Sequence, residues 1–216
     1  METNAFRVAL EKNPAIAINV IPGHFTTSNA HINYFLDVWE LKSNVSIARD
    51  VATEFAAPYL ANTPIDTIVC MERTVVIGTF TAQELLREGT AVINASGVIH
   101  VVSPLNNVNG NLIFQDNAIE CIRNKNILLI LASISSGETV QRAMECITYY
   151  GGRLAGISAL FFSSGSFDNI EYDVNALFTA KDIPGYKTFR AVDCEMCKAG
   201  QKLDAIISSE GYTKIS

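Results

Sequence analysis

The residues from Asn126 to Ala132 (NILLILA) form an unbroken apolar run. The run is too short for a membrane span, which needs about 20 residues. It reads instead as a strand buried on both faces. A Ser/Gly turn follows. Val140, Ala143, Met144 and Ile147 then recur at helical spacing as far as the Gly151-Gly152 pair, a suitable C-cap. Ile65–Met71 is a second apolar, β-branched run. It leads through a loop at Glu72–Thr74 into a helical stretch, Val75–Arg87, where Gly78 permits close backbone approach. Leu154–Phe162 and Ala176–Thr179 read as further strands, and Ile99, Val101 and Val102 mark another within Ala91–Ser103.

The periods change elsewhere. In Ser43–Leu60, Val45, Ala48, Val51, Ala52 and Phe55 take helical spacing behind a Ser43 or Asn44 cap. Met1–Gly23 predicts a short helix or strand and then a turn. Phe25–Trp39 mixes aromatic and β-branched residues with polar ones, which predicts a hairpin or extended arm. Pro104–Asn111 is a polar flap with a hairpin signal at Asn109-Gly110, and Leu112–Phe114 is the returning strand. Asp193–Ser216 carries a Cys-x-x-Cys and predicts a short amphipathic helix with Leu203, Ile206 and Ile207.

Strands alternating with helices predict an α/β fold: a parallel sheet with helices on both faces. Ligands of such sheets bind beyond the carboxyl ends of the strands. The loops after Met71, Ser103 and Ala132 would share that edge. Three segments follow, an N-terminal arm (1–42), the core (43–192) and a C-terminal tail (193–216).

A chain of 216 residues with net charge -6 is long enough for one proper core and lacks the basic balance of a nucleic-acid binder. Its start has no apolar signal segment. Five scattered cysteines suggest no disulfide framework, so a reducing cytoplasm is the expected compartment.

The candidate chemistry lies first in Ser135-Ser136-Gly137-Glu138-Thr139. The hydroxyls and backbone N–H groups of such a turn converge at a helix N-terminus, where an anion is favoured. The alternative is a capped βα turn with no ligand. Gly137 is not followed by Lys, so this is no Walker loop. Glu138 suits the first turn of a helix. Glu72 and Arg73 follow a strand, and Arg73 could meet a phosphate or form a surface ion pair. Tyr34, Phe35 and Trp39 could stack on a planar base or fill the core; Trp39 suits the core. His24, His31 and His100 show no metal-ligand spacing. Cys194 and Cys197 offer two ligands where a closed zinc site needs four. They read as a shared zinc site, reduced thiols or a redox pair.

The strand followed by Ser-Ser-Gly-Glu-Thr resembles the PRPP motif of type I phosphoribosyltransferases, and of orotate phosphoribosyltransferases in particular. Ser28, Ile32, Tyr34 and Phe35 resemble the hood of those enzymes, Asp66–Gly78 their pyrophosphate loop, and Ile99–Phe114 their flexible hairpin. The Cys194–Gly200 stretch is similar to a tail found in some members. The resemblance implies a parallel-sheet phosphoribosyltransferase-like fold with a small N-terminal hood. It implies a cytoplasmic homodimer that uses Mg²⁺ to transfer ribose 5-phosphate from PRPP to a pyrimidine base such as orotate. In that reading Ser135, Ser136, Gly137, Glu138 and Thr139 hold the 5-phosphate. Met71, Glu72 and Arg73 face pyrophosphate, and Tyr34, Phe35 and His31 face the base. The two acids that end the family's central strand fall on Leu131 and Ala132, and Ser103–Asp116 has no Lys or Arg. No catalytic residue is therefore assigned. The alternative is a non-catalytic protein of the same fold that binds a nucleotide or phosphorylated sugar in a regulatory role.

Overall fold

The computed structural model describes residues 4–28, 30–87, 94, 97–106, 111–135, 137–163, 173–208 and 211–215. Ser136 and the Asn109-Gly110 turn lie outside the described residues. In chain order the strands are β1 (Phe6–Leu10), β2 (Asn13–Thr26), β3 (His31–Asp37), β4 (Thr67–Cys70), β5 (His100–Val102), β6 (Leu105–Asn106), β7 (Leu112–Ile113), β8 (Asn126–Ile134), β9 (Arg153–Phe162), β10 (Val174–Thr179), β11 (Thr188–Phe189), β12 (Ala205–Ser208) and β13 (Gly211–Lys214). The α-helices are α1 (Trp39–Ser43), α2 (Val45–Ala56), α3 (Val75–Leu85), α4 (Asp116–Ile119), α5 (Glu138–Tyr149) and α6 (Glu195–Lys198). Among the described residues no helix is long and apolar enough to cross a membrane.

The core is a parallel sheet in the order β10-β9-β8-β4-β5. The unbroken apolar runs are explained by burial on both faces. Ile68, Cys70, Leu128 and Ile130 pack toward α1, α2 and α3, while Val69, Met71, Ile127, Leu129 and Leu131 pack toward α5. Successive strand residues point to opposite faces, so a doubly covered strand has no polar position to spare. Gly78 lets α3 lie directly on β4, since a Cβ there would collide with the Cys70 sulfur.

The hood is the second sheet, ordered β11-β3-β2-β12-β13, with β1 also paired to β2. It draws on both ends of the chain. The helix expected at Leu203–Ile207 is instead the β12–β13 hairpin, whose first strand pairs in parallel with β2 at Phe25 and Thr26. Ala205 is buried and Ile206 exposed, an alternation that fits a strand on a half-covered sheet rather than a helix. Near the N-terminus, Phe6–Leu10 and Asn13–Thr26 are strands, and the turn expected at Pro22-Gly23 lies within β2.

Candidate functional site

β5 and β9 lie on opposite sides of the β4–β8 pair, so the crossovers that leave β4 for β5 and β8 for β9 diverge and leave a crevice at the carboxyl ends of these two strands. Two turns line it. After β4, Glu72 and Arg73 take left-handed φ values of 52° and 63°. Such values cost non-glycine residues about 1–2 kcal/mol each, and several contacts hold the turn in place. Thr74 Oγ1 donates to the Met71 carbonyl at 2.7 Å and to that of Ile130 at 3.3 Å. Lys42 Nζ donates to the Glu72 carbonyl at 3.2 Å. The Glu72 carboxylate accepts the N–H groups of Ala132 and Ser133 at 2.9 and 3.0 Å. Burial pushes the Glu72 pKa up; the two N–H groups and nearby Lys42 oppose that shift.

The second turn follows β8. Gly137, at φ 74°, is the N-cap residue of α5 in a left-handed conformation that glycine adopts without a Cβ penalty. Gly137 has no side chain with which to cap α5, whose first N–H groups lack intrahelical acceptors. Glu138 is exposed and pairs with Arg142 at 3.6 Å, one turn along the helix.

Between these turns and the hood lies a cavity of about 370 Å³. The core side presents Ser135, Gly137, Thr139, Glu72, Lys42 and Phe161. The hood side presents Thr27, Ser28, Phe35, Asp37, Tyr186 and Tyr212, with Trp39 at the edge. Phe35 and Tyr212 meet edge to face at 4.9 Å, as do Phe161 and Tyr186 at 5.0 Å. Ser135, Thr139, a helix N-terminus and Lys42 thus stand on the core wall, and most of the flat rings on the hood wall.

The structure distributes the sequence candidates unevenly. Ser135, Gly137, Thr139, Glu72 and Phe35 reach the cavity. Met71 is buried in the core beside it and Arg73 is exposed outside it. Tyr34 turns to the other face of the hood, where its ring meets Phe6 at 5.8 Å and its hydroxyl donates to the Pro184 carbonyl at 3.3 Å. His31 is also away from the cavity. It stands with His24, Cys194 and Cys197, with all four potential ligand atoms within 4.8 Å of one another. The expectation that no histidine lies near the two cysteines is therefore corrected: the β2–β3 hairpin supplies two. Trp39, assigned to the core, is 47% exposed.

Lys42, Asp37, Tyr186 and Tyr212 are cavity residues that sequence reasoning missed. Lys42 sits in a five-residue helix with an apolar neighbour on only one side, and Tyr212 reaches the site only through the unexpected hairpin. Leu131 and Ala132 are buried, so the end of β8 carries no carboxylate of its own. Glu72 brings one there from the neighbouring loop.

No protein-family model and no curated protein matches the sequence. Solved structures do match. The UMP synthase of Leishmania donovani superposes with TM-score 0.56 and 19% identity over 75% of this chain and 34% of that one, so this chain spans about a third of that enzyme. The orotate phosphoribosyltransferase of Mycobacterium tuberculosis H37Rv gives 0.52 and 12% over 76% and 90% of the two chains. The APRTase of Giardia lamblia, solved with 9-deazaadenine, gives 0.51 and 15% over 75% and 93%. At these identities the agreement is one of fold: the chain has the type I phosphoribosyltransferase fold.

Proposed function

We propose that the cavity binds a phosphorylated ribose carrying a planar base, with the β8–α5 turn holding the 5-phosphate and the hood rings the base. One observation carries this reading: a single cavity joins the N-terminal turn of α5, with Ser135, Gly137 and Thr139, to an aromatic wall. Backbone N–H groups and the helix dipole favour an anion at one end. Rings at the other end favour a flat, partly apolar group. A pyrimidine nucleotide has both parts in one molecule, and PRPP with a free base supplies them together.

The finer reading is orotate phosphoribosyltransferase-like transfer from PRPP to a pyrimidine. The position of Glu72 favours it, because a carboxylate beside the strand end can stabilise positive charge that develops on a ribose ring. Mg²⁺ fits this reading, since it takes one or two carboxylates together with substrate phosphates. Asp37 and Glu72 both line the cavity and would be the protein's share. The ion would supply charge neutralisation at pyrophosphate. Against transfer stand the apolar Leu131 and Ala132 and a flap without bases. The rival is a nucleotide-binding regulator of the same fold. We extend the proposal to a cytoplasmic homodimer, checked by light scattering and fractionation.

Calorimetry with PRPP, orotidine monophosphate and uridine monophosphate, with and without Mg²⁺, separates the readings. Saturable binding of the nucleotides, lost in Gly137→Ala, is the expected result. Pyrophosphate release from PRPP plus orotate adds transfer; nucleotide binding without it leaves the regulator. If neither PRPP nor nucleotide binds, the cavity does not serve phosphorylated ribose.

A further inference from the structure

We propose that His24, His31, Cys194 and Cys197 bind one Zn²⁺ ion in a closed structural site that staples the C-terminal segment to the hood. The proposal is independent of what the cavity binds.

Four of the six ligand–ligand edges match those of a zinc tetrahedron, and the other two lie within 4.8 Å. Zinc bonds of about 2.05 Å to nitrogen and 2.3 Å to sulfur require ligand–ligand edges of about 3.3 Å for N–N and 3.5 Å for N–S. His24 Nε2 lies 3.2 Å from His31 Nδ1, 3.4 Å from Cys194 Sγ and 3.6 Å from Cys197 Sγ. Cys197 Sγ lies 3.3 Å from His31 Nδ1. An ion at the centre needs only small movements of its ligands.

The surroundings prepare these atoms. His24 Nδ1 is 2.9 Å from the Gln201 carbonyl, an acceptor only, so the ring proton sits on Nδ1 and the Nε2 lone pair faces the cluster. This outer hydrogen bond is the usual device that fixes a metal-binding imidazole. The Asp204 carboxylate accepts the His24 N–H at 2.7 Å, and the Asp204 N–H donates to the His24 carbonyl at 2.8 Å. Cys194 is the N-cap residue of α6, whose single turn brings Cys197 back beside it, and Gly200 at φ 75° ends the knuckle. In the hairpin Thr26 pairs with His31, and the register shift between Pro22 and Phe25 contains His24, whose ring reaches His31.

Charge and coordination both select zinc. Binding breaks two S–H bonds and forms two Zn–S bonds, and the two protons go to solvent. Two thiolates and two neutral imidazoles then leave no net charge, which suits a cluster with Cys194 and His24 fully buried. A tetrahedral S₂N₂ set with no open position is a structural rather than a catalytic site.

The consequence reaches the cavity. The clamped segment continues into β12 and β13, whose Ile207 and Tyr212 form part of the cavity wall. Zinc would hold that wall in place.

The test starts with the full chain purified in reductant without chelator. Elemental analysis should give one zinc per chain. Chelation should lower Tm by about 10 °C or more, because several kcal/mol of folding free energy go with the ion. Co²⁺ added to the stripped protein should develop thiolate charge-transfer bands that saturate at one equivalent. Cys197→Ser, at the exposed rim, should keep the fold and weaken zinc more than about a hundredfold, since loss of an outer-shell partner alone costs 10–100-fold. The proposal is overturned if the protein holds no zinc and its Tm ignores added zinc. It is equally overturned if Cys194 and Cys197 form a disulfide in the native protein, or if zinc persists in Cys194→Ala,Cys197→Ala. The cobalt titration uses the unaltered chain, so a variant that fails to fold does not block the result.

Discussion

Replacing Glu72 by alanine removes the acceptor of two backbone N–H groups at the end of β8. The two donors differ in what they can do next. Ala132 is 5% exposed, so its N–H would be left largely unsatisfied, at a cost of about 1–3 kcal/mol. Ser133 is exposed, and water can replace the carboxylate there for a loss of about 0.5–1 kcal/mol. Relief of carboxylate desolvation offsets part of the sum, leaving a destabilisation of about 1.5–3 kcal/mol. That corresponds to a fall in Tm of about 3–12 °C for a chain of this size. Glu72→Gln keeps an oxygen acceptor, so its loss should be below about 1 kcal/mol. Glu72→Gly relieves the left-handed strain and should be more stable than the alanine variant by about 1 kcal/mol. The pH dependence has a definite sign. Burial raises the folded-state pKa of Glu72 above its ordinary 4.5, so in the window above 4.5 the folded chain holds more protons than the unfolded one. Its contribution to stability is therefore full below 4.5 and is lost as pH rises through the folded value. Glu72→Gln should flatten that part of the stability–pH curve. Urea unfolding from pH 4 to 8 measures all four proteins. The reasoning fails if alanine and glutamine variants lose stability equally, or if the wild-type slope persists in glutamine.

Two further outcomes probe the core. Gly156→Ala would place a Cβ within 2.8 Å of Tyr59 Cζ and 2.7 Å of its hydroxyl, which is held by the Ile157 carbonyl and Ser158; thermal unfolding should show about 1–3 kcal/mol lost, and an unchanged Tm would mean that Tyr59 moves freely. Burial pushes the Cys70 thiol up to about 12 and that of Cys146 to about 11, so neither should alkylate in the native state at pH 8; rapid labelling of Cys70, read by peptide mass spectrometry, would contradict the burial described.

The parts legible in the sequence share one cause. β4, β8 and β9 are covered on both faces, so burial wrote itself into continuous apolar runs, and α2 and α5 kept a stripe of apolar residues at helical spacing. The turn at Gly137 was legible because a Ser/Gly cluster stands between an apolar run and a helical stripe; its left-handed φ was not. The illegible parts depend on long-range pairing. β12 and β13 are short strands with one covered face, and Leu203, Ile206 and Ile207 fit a helical stripe equally well until β2 is seen beside them. Cys197 and His31 are 166 positions apart, so no local spacing could join them. The two histidines became neighbours only through the register of the β2–β3 hairpin.

The same reasoning changes what the apolar end of β8 means. Judged by position in the chain, Leu131 and Ala132 signify lost acids, and a phosphate turn without them signifies a site that only binds. Judged by position in space, a carboxylate is present, carried by the turn after β4 and bonded to the backbone of Ala132 and Ser133 themselves. The arrangement spends backbone strain at Glu72 and Arg73 and a buried lysine contact to keep that carboxylate there. A turn needed only to connect β4 to α3 would gain about 1 kcal/mol or more per residue from glycine at either strained position. Strain held by several independent contacts at the mouth of a cavity supports the proposal that the site uses the group it holds. On the proposed reading Glu72 separates transfer from mere binding: if pyrophosphate release is found, Glu72→Gln should abolish it while leaving nucleotide affinity within a few-fold.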